Sequence, residues 1–184
     1  MPNHCQNYLT IISKDTGFLQ RLMNELKQDD NPKFLEILCP FTEDTNYEWD
    51  YNWCVSKWGT KWDIYDVASA ELDGDTLHMT FSTAWSPPDE ALRAGMDKYD
   101  YEFELYFQED GMCFAGFASG DVYESWETLT DQHPEDYMPE HVLDNLPWIV
   151  QDWEEWQAEK LAEGYSDMLN HHAEMQEEED KEDA

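Results

Sequence analysis

The spacing of hydrophobic residues predicts alternating strands and helices over the first two-thirds of the chain. Segments in which every second residue is apolar are typical of strands with one buried face. Phe18, Leu22 and Leu26 instead recur every four residues, which places them on one face of a helix. The predicted elements are strands over 7–12, 64–72, 76–84, 101–107 and 112–118, helices over 16–28 and 88–98, and a short apolar segment over 34–40, counted as a further strand.

Turn and cap residues separate these elements. Asp73-Gly74-Asp75 predicts a tight hairpin, because glycine tolerates a positive φ angle. Asp15-Thr16 offers caps for the first helix, and Ser86 with the two prolines after it predicts the start of the second. Glu109-Asp110-Gly111 predicts a turn before the last strand.

The connection from residue 41 to residue 63 has no clear period but is crowded with aromatic side chains. An unstructured loop of this length is uncommon inside a compact domain, so we expect its aromatic residues to pin it to the core. Near its end, Gly59 predicts a turn that leads into the next strand. The aromatic residues are Tyr47, Trp49, Tyr51, Trp53, Trp58 and Trp62.

The order of these elements predicts an α+β domain in which an antiparallel sheet carries helices on one face. After about residue 128 the pattern changes, and prolines separate short helical segments. Pro147 is well placed as the first residue of a longer helix over roughly 147–170. The predicted division is a domain over 1–128, an acidic helical extension over 129–176 and a disordered acidic tail over 177–184.

Charge changes this picture more than any other property of the chain. There are 43 acidic residues and only 10 lysines and arginines among 184 residues, a formal net charge of −33. Residues 1–98 have a net charge of −9, whereas residues 99–184 have a net charge of −24. Because unneutralised charge repels itself and destabilises a compact fold, we infer that it serves recognition of something positive.

Composition excludes several classes of protein. Aromatic residues make up 15% of the chain, which is far too many for a disordered acidic protein. Nucleic acid and anionic membranes are disfavoured as partners because their phosphates repel an acidic surface. The four cysteines form no CxxC pair, so a zinc ribbon is not expected. Without a signal peptide or an apolar span, we expect a cytoplasmic protein with reduced thiols.

Several short motifs, in order along the chain, resemble those of a known family. They are the opening Met1-Pro2-Asn3-His4-Cys5-Gln6-Asn7, the run Trp58–Trp62, the strand end Trp85-Ser86-Pro87-Pro88, and the later signature formed by Glu109–Gly111 and Phe114–Gly116. Together they resemble the YubB-like, or Api-type, ferredoxin-like family of phage and plasmid proteins over roughly residues 1–128. His4 departs from the family's opening, where tryptophan is usual.

The resemblance implies a ferredoxin-like sheet and an origin in a mobile genetic element. It implies little about chemistry, because the family brings no settled activity with it. The acidic region after residue 128 lies outside the resemblance and is expected to be this protein's own addition.

The C-terminal helix carries the first candidate site, a row of carboxylates on one face. Acids at three- and four-residue spacing share a helix face, and four residues rise about 6 Å, close to the advance of phosphates along a nucleic-acid strand. The alternative is a solvated face of an amphipathic helix, docked through Ile149, Trp153, Leu161, Tyr165 and Met168. The row consists of Asp152, Glu155, Glu159, Glu163 and Asp167, with Trp156 near its border.

The aromatic segment over 47–62, within the connection 41–63, is the second candidate site. Stacking of nucleobases near Lys57 and Lys61 is one interpretation, but the neighbouring acids oppose a phosphate backbone. A partner-facing anchor built on Trp53 and Trp58, with Trp156 of the C-terminal helix as a further candidate anchor, is the better functional alternative. A cluster that packs in the core and pins the loop is the structural alternative.

No motif supports catalysis, a cofactor or a metal. The six histidines lack ligand spacing, although His171-His172 beside Glu174 could hold a stray metal ion. The thiols have no obvious activating neighbours, and phosphate-binding or nucleophile motifs are not found. The sequence therefore predicts no catalytic residue, no cofactor and no metal site.

These observations favour a non-enzymatic phage or plasmid inhibitor that mimics DNA. Its targets would be basic nucleic-acid-binding host proteins such as defence nucleases, restriction enzymes or CRISPR effectors. An acidic interaction or scaffold module that binds a basic phage or host protein without mimicking DNA is the alternative. Adaptation to high salt is a third interpretation, which the uneven charge disfavours, and an enzyme with a carboxylate-bound metal is a fourth.

Overall fold

A computed structural model describes residues 3–28 and 32–163. The strands are β1 (His4–Ser13), β2 (Tyr65–Asp73), β3 (Thr76–Ala84), β4 (Tyr101–Glu109), β5 (Phe114–Ser119) and β6 (Val122–Glu127). The helices are α1 (Thr16–Gln28), α2 (Phe34–Leu38), α3 (Tyr51–Lys57), α4 (Asp89–Tyr99), α5 (Glu140–Asn145) and α6, helical over 148–163. Single 3₁₀ turns occur at Glu43–Thr45 and Pro134–Asp136.

The six strands form one antiparallel sheet in the order β2-β3-β1-β4-β5-β6. In the first four, β1 lies between β3 and β4, and each helix-containing connection passes over a neighbouring strand. This is the split β-α-β arrangement of a ferredoxin-like fold, and β5 and β6 extend its β4 edge as a meander. The predicted α+β class with a ferredoxin-like sheet is confirmed.

The alternation of side chains along the strands decides which face of the sheet is buried. In β1, Leu9 and Ile11 are buried, while the alternate residues Thr10 and Ile12 point to the other face. Helices α1, α2 and α4 contribute to the same core as the inward residues of the strands. The sheet therefore has a covered face that bears the helices and an opposite face of largely polar residues.

Local signals locate some boundaries correctly and miss others. The Asp15 carboxylate accepts a hydrogen bond from the backbone N–H of Phe18 (3.0 Å) and so caps α1, as predicted. Ser86 does not cap α4, because its hydroxyl instead donates to the Gly59 carbonyl (2.5 Å) and the helix begins after Pro88. Gly74 has a φ of +62° in the predicted hairpin between β2 and β3.

Two predictions about elements are wrong, and one connection for which the sequence predicts no element contains a helix. The segment over 34–40 is not a strand, because α2 forms there with its start capped by the side chain of Asp63. The connection 41–63 contains α3, whose first turn is capped by Asp50. The strand predicted over 112–118 is not the last, because β6 follows and pairs with β5.

The chain divides into two compact units, Met1–Glu127 and Thr128–Ala184. Within the described part of the second unit, two side chains of α6 hydrogen-bond to the backbone carbonyl of Thr130. The indole N–H of Trp153 donates to the Thr130 carbonyl (2.7 Å), and the Gln157 amide donates to the same oxygen (3.3 Å). The predicted helix end near 170 and the tail over 177–184 lie outside the described residues. Among the described helices, none has the length and apolar character that a membrane span requires.

Candidate functional site

The predicted row of carboxylates lies on the solvent side of α6. Asp152, Glu155, Glu159 and Glu163 are all exposed. Their three- and four-residue spacing in an observed helix places them on one face. Asp167, the fifth predicted member, lies outside the described residues.

Few positive charges accompany this row in its own unit. Lys160 is the only lysine or arginine between residues 128 and 163. Its ammonium group binds the carboxylate of Asp131 at 2.5 Å and lies 4.8 Å from the ring centroid of Trp156. Because Asp131 is not a member of the row, the single lysine in the described part of this unit is engaged by a carboxylate outside it.

The predicted docking side of α6 is only partly correct. Ile149 is buried and Trp153 is half-buried, but Leu161 is 73% exposed. All residues from 158 to 163 are exposed, so this stretch of helix lies beyond the part that packs. Tyr165 and Met168 lie outside the described residues.

The first unit presents acids that sequence reasoning did not single out. On the face of the sheet opposite the helices, Glu71 is opposite His78, His78 is opposite Thr10, and Thr10 is opposite Glu104. Glu71 and Glu104 are exposed, and the hydroxyl of Thr10 hydrogen-bonds to Nδ1 of His78 (3.1 Å). In the predicted strands, polar residues alternate with apolar ones. These polar positions were the sequence signal that could have revealed this acidic sheet face.

The aromatic segment is divided between the core and the surface, because Trp58 is buried whereas Tyr47, Trp49 and Tyr51 are exposed. Trp58 is 2% exposed, and its indole N–H donates to the Cys39 carbonyl at 2.7 Å. The ring of Phe41 lies 5.0 Å from that of Trp53 and 4.9 Å from that of Trp58. The interpretation of Trp58 as a partner-facing anchor is therefore wrong, because a buried indole with a satisfied N–H has no free surface. Trp53 is half-buried on the same cluster.

Beside this cluster the protein has an open cleft of about 670 Å³, which we call the aromatic cleft. Its walls include the side chains of Phe41, Trp49, Trp62, Tyr65 and His4. The indole N–H of Trp49 donates to the Lys61 carbonyl (3.1 Å), and the Tyr65 hydroxyl hydrogen-bonds to Nδ1 of His4 (2.9 Å). These bonds hold two of the aromatic walls in place. His4, the departure from the family's opening, is thus a wall of the cleft.

Asp63 also lines the aromatic cleft, with its carboxyl turned toward the start of α2. Its oxygens accept hydrogen bonds from the backbone N–H groups of Leu35 (2.8 Å), Ile64 (2.8 Å) and Glu36 (3.1 Å). Burial raises the pKa of this carboxyl to about 7, although the three donors oppose the rise. The carboxyl therefore caps the start of α2 and changes its protonation state near neutral pH.

The described residues show no catalytic constellation. No group of three or more His, Cys, Asp or Glu among them is placed to hold a metal ion. Burial raises the pKa of the Cys54 thiol to about 11 and raises the pKa of the Cys5 thiol further. Such thiols stay protonated at neutral pH and are poor nucleophiles.

Comparison with known proteins supports the fold. A family model described as the ferredoxin-like domain in Api92-like protein matches residues 57–143. This range contains the run Trp58–Trp62 and the strand end at Trp85, but not the opening motif, and it continues beyond the boundary at 128 that the resemblance predicted. Searches of curated proteins and of solved structures found no match. Over residues 57–143, this chain is similar to the ferredoxin-like domain of Api92-like proteins.

Proposed function

We propose that this protein is a non-enzymatic inhibitor that occupies the nucleic-acid groove of a basic host protein, with its carboxylates in place of phosphates. The observation that carries the proposal is the exposed carboxylate row on α6, whose only neighbouring lysine in sequence is engaged by Asp131. The net charge of −33 extends the negative potential well beyond this helix.

The physical basis is pairing between carboxylates and the cations of a nucleic-acid groove. Arginine guanidinium groups form two parallel hydrogen bonds to a carboxylate, as they do to a phosphate. Long-range attraction speeds the encounter and is screened by salt over about 10 Å at 0.1 M ionic strength. Binding is therefore expected to weaken steeply as salt is added.

The proposed targets are defence nucleases, restriction enzymes, CRISPR effectors or other nucleic-acid-binding proteins in the cytoplasm of a host cell. A mobile-element origin is part of this proposal and follows from the resemblance of the motifs to the YubB-like family. Such targets share a groove lined with arginine and lysine, which is the complement of a carboxylate row.

The test compares two variants with the same net charge. One carries Glu155→Lys, Glu159→Lys and Glu163→Lys on α6, and the control carries three charge reversals at exposed acids of the first unit, namely Asp44→Lys, Glu48→Lys and Asp121→Lys. Each protein is used to capture host proteins at low salt, and bound proteins are eluted with duplex DNA. The proposal expects capture by the wild type and the control, elution by DNA, and loss of capture by the α6 variant.

Two results would contradict the proposal. Captured proteins that DNA does not displace would favour an acidic scaffold module without mimicry. Equal loss of capture by both variants would show that net charge, rather than the row on α6, is recognised. Circular dichroism of both variants checks that the fold is intact.

A further inference from the structure

The aromatic cleft is a second surface with its own chemistry, separate in sequence from the carboxylate row. Aromatic rings dominate its walls, and at about 670 Å³ it is in the size range of ligand sites. Trp49 is 54% exposed although its indole N–H is engaged, so a large ring surface is held open to solvent. A rigid, exposed aromatic surface is a recognition feature that the acidic helix does not explain.

We infer that the aromatic cleft binds an arginine side chain presented by a basic polypeptide partner. The faces of aromatic rings carry negative electrostatic potential and attract cations placed over them. The guanidinium group is planar, stacks on such rings and loses less hydration than an ammonium group. The inference deepens the proposed function and rests on it for the basic character of the partner.

The rings next to the cleft already attract a cation of the chain itself. The ammonium group of Lys61 lies 4.6 Å from the ring centroid of Trp62 and 5.0 Å from that of Trp85. Lys61 does not line the cleft, so this contact approaches Trp62 from outside it. The internal contact shows that the electrostatics of this aromatic surface favour positive charge.

The charged groups of the cleft complement a cation rather than an anion. The one lysine in its lining, Lys33, pairs with Glu36 at 3.3 Å and so adds no net positive charge. Asp63 adds a carboxyl that accepts hydrogen bonds from three backbone N–H groups. Burial raises the pKa of this carboxyl to about 7, and a cation bound nearby would favour its ionised form.

The experiment uses small probes on the full chain, so that it does not depend on finding the partner. N-acetyl-arginine amide is titrated into isotope-labelled protein, and the signals of the tryptophan indole N–H groups are followed by NMR. N-acetyl-norleucine amide, which has an unbranched apolar side chain without a guanidinium group, is the uncharged control probe. We expect the arginine probe to shift these signals saturably. The affinity from this titration should exceed that of the norleucine probe by at least about threefold.

Two variants connect the shifts to the cleft. Trp49→Leu removes an exposed wall and is not expected to disturb the core, and Trp62→Leu removes a second wall. Each is expected to weaken arginine binding by about threefold or more. Tyr47→Leu is the control, because Tyr47 is 65% exposed and does not line the cleft.

Several outcomes would overturn the inference. Equal binding of norleucine and arginine would show an apolar slot, and stronger binding of adenosine monophosphate would show a base- or phosphate-binding surface. No shift at the highest soluble arginine concentration would show that the cleft is only a packing gap. The α6 charge-reversal variant separates the two proposals, because it should keep the arginine shifts even if nucleic-acid mimicry fails.

Discussion

Asp63 shows how strongly one residue's environment can differ from that of the other acids in this chain. The four carboxylates of the α6 row are exposed, whereas the Asp63 carboxyl is turned into the protein and accepts three backbone N–H groups. Those bonds link the end of the aromatic segment to the start of α2. The residue therefore stabilises a junction, and burial, with a smaller contribution from the charge of Glu36, raises the pKa of its carboxyl to about 7.

Asp63→Asn is expected to remove a pH-dependent loss of stability. The pKa of this carboxyl is about 7 in the folded protein against 3.8 for an unperturbed aspartate, so the folded protein binds the proton more tightly than the unfolded chain. The stabilisation from this proton is complete below pH 4 and is lost as pH rises through 7. Between about pH 5 and pH 8, the wild type should lose on the order of 2 kcal/mol relative to the variant. Urea unfolding at several pH values measures the difference.

The prediction is tested by how the free energy of unfolding changes with pH, rather than by its value at any one pH. An asparagine at position 63 cannot accept all three backbone N–H groups, so the variant starts with a constant loss. Asp50→Asn, at the exposed cap of α3, reports what a cap contributes away from the cleft. A stability difference between wild type and Asp63→Asn that stays constant with pH would contradict the prediction.

Gly95 lies in the middle of α4, where alanine has the better intrinsic propensity by about 1 kcal/mol. Its Cβ position, however, is 2.5 Å from the hydroxyl of Tyr101 and 3.0 Å from Cβ of Leu38. The Tyr101 hydroxyl donates to the Leu92 carbonyl (2.6 Å), so it cannot move without breaking that bond. Gly95→Ala should destabilise the protein by about 1 to 3 kcal/mol in urea unfolding.

The neighbouring position supplies the control for this prediction. Ala94 is exposed on the same helix, so Ala94→Gly should cost about 1 kcal/mol through propensity alone. A rise in the free energy of unfolding of Gly95→Ala would contradict the prediction. It would show that helix propensity outweighs packing and that α4 does not approach α2 and β4 as closely as described.

At the scale of elements, the motifs that suggested a family turn out to be joined to one another. The hydroxyl of Thr60 donates to the Ala84 carbonyl (2.9 Å) and accepts from the Ala84 N–H (3.1 Å). The Ser86 hydroxyl donates a hydrogen bond to the carbonyl of Gly59, the residue before Thr60. The turn before β2 is thus fastened to the end of β3, which explains why threonine and serine stand between the tryptophans and prolines of these motifs.

Thr60→Val is expected to destabilise this junction. Valine keeps the shape of threonine but leaves a buried N–H and a buried carbonyl of Ala84 without the Thr60 hydroxyl, which costs about 2 to 3 kcal/mol. Thermal unfolding should show the loss. Thr80→Val, on the polar face of β3, is the matched control and should change stability by less than about 0.5 kcal/mol. Equal effects of the two substitutions would contradict the assigned role of Thr60.

At the scale of the whole molecule, the net charge of −33 dominates. Folding brings carboxylates together, on α6 and on the acidic sheet face, with few cations between them. Repulsion between them is stronger in the compact state than in the extended chain, and salt screens it. The acidity that we propose for recognition of a basic partner is therefore expected to reduce the stability of the protein.

Added salt is expected to stabilise the protein. Raising sodium chloride from about 20 mM to about 500 mM shortens the screening length from roughly 20 Å to about 4 Å and should raise Tm by about 5 °C or more. Thermal unfolding followed by circular dichroism measures the change. A flat or falling Tm would show that the carboxylates do not repel one another in the folded state. A gain that continues into molar salt would favour adaptation to high salt.

The sequence by itself determined the order and type of most elements and the location of the charge. Alternation in β1, β3 and β4 and the four-residue period of α1 are local properties, so they can be read without knowing the fold. The α6 row was likewise predictable, because helical spacing alone places Asp152, Glu155, Glu159 and Glu163 on one face. The motifs around Trp58–Trp62 added the ferredoxin-like arrangement through resemblance.

Only the tertiary structure decided which side chains are available to a partner. Trp58 and Trp62 stand four residues apart in one motif and both line the aromatic cleft, yet Trp58 is buried and Trp62 is only half-buried. Helix α2 depends on a cap from Asp63, a residue 27 positions or more along the chain, which no local pattern reveals. Burial and distant hydrogen bonds depend on which segments pack together, and that is settled by the balance of all contacts in the fold rather than by any one stretch of sequence.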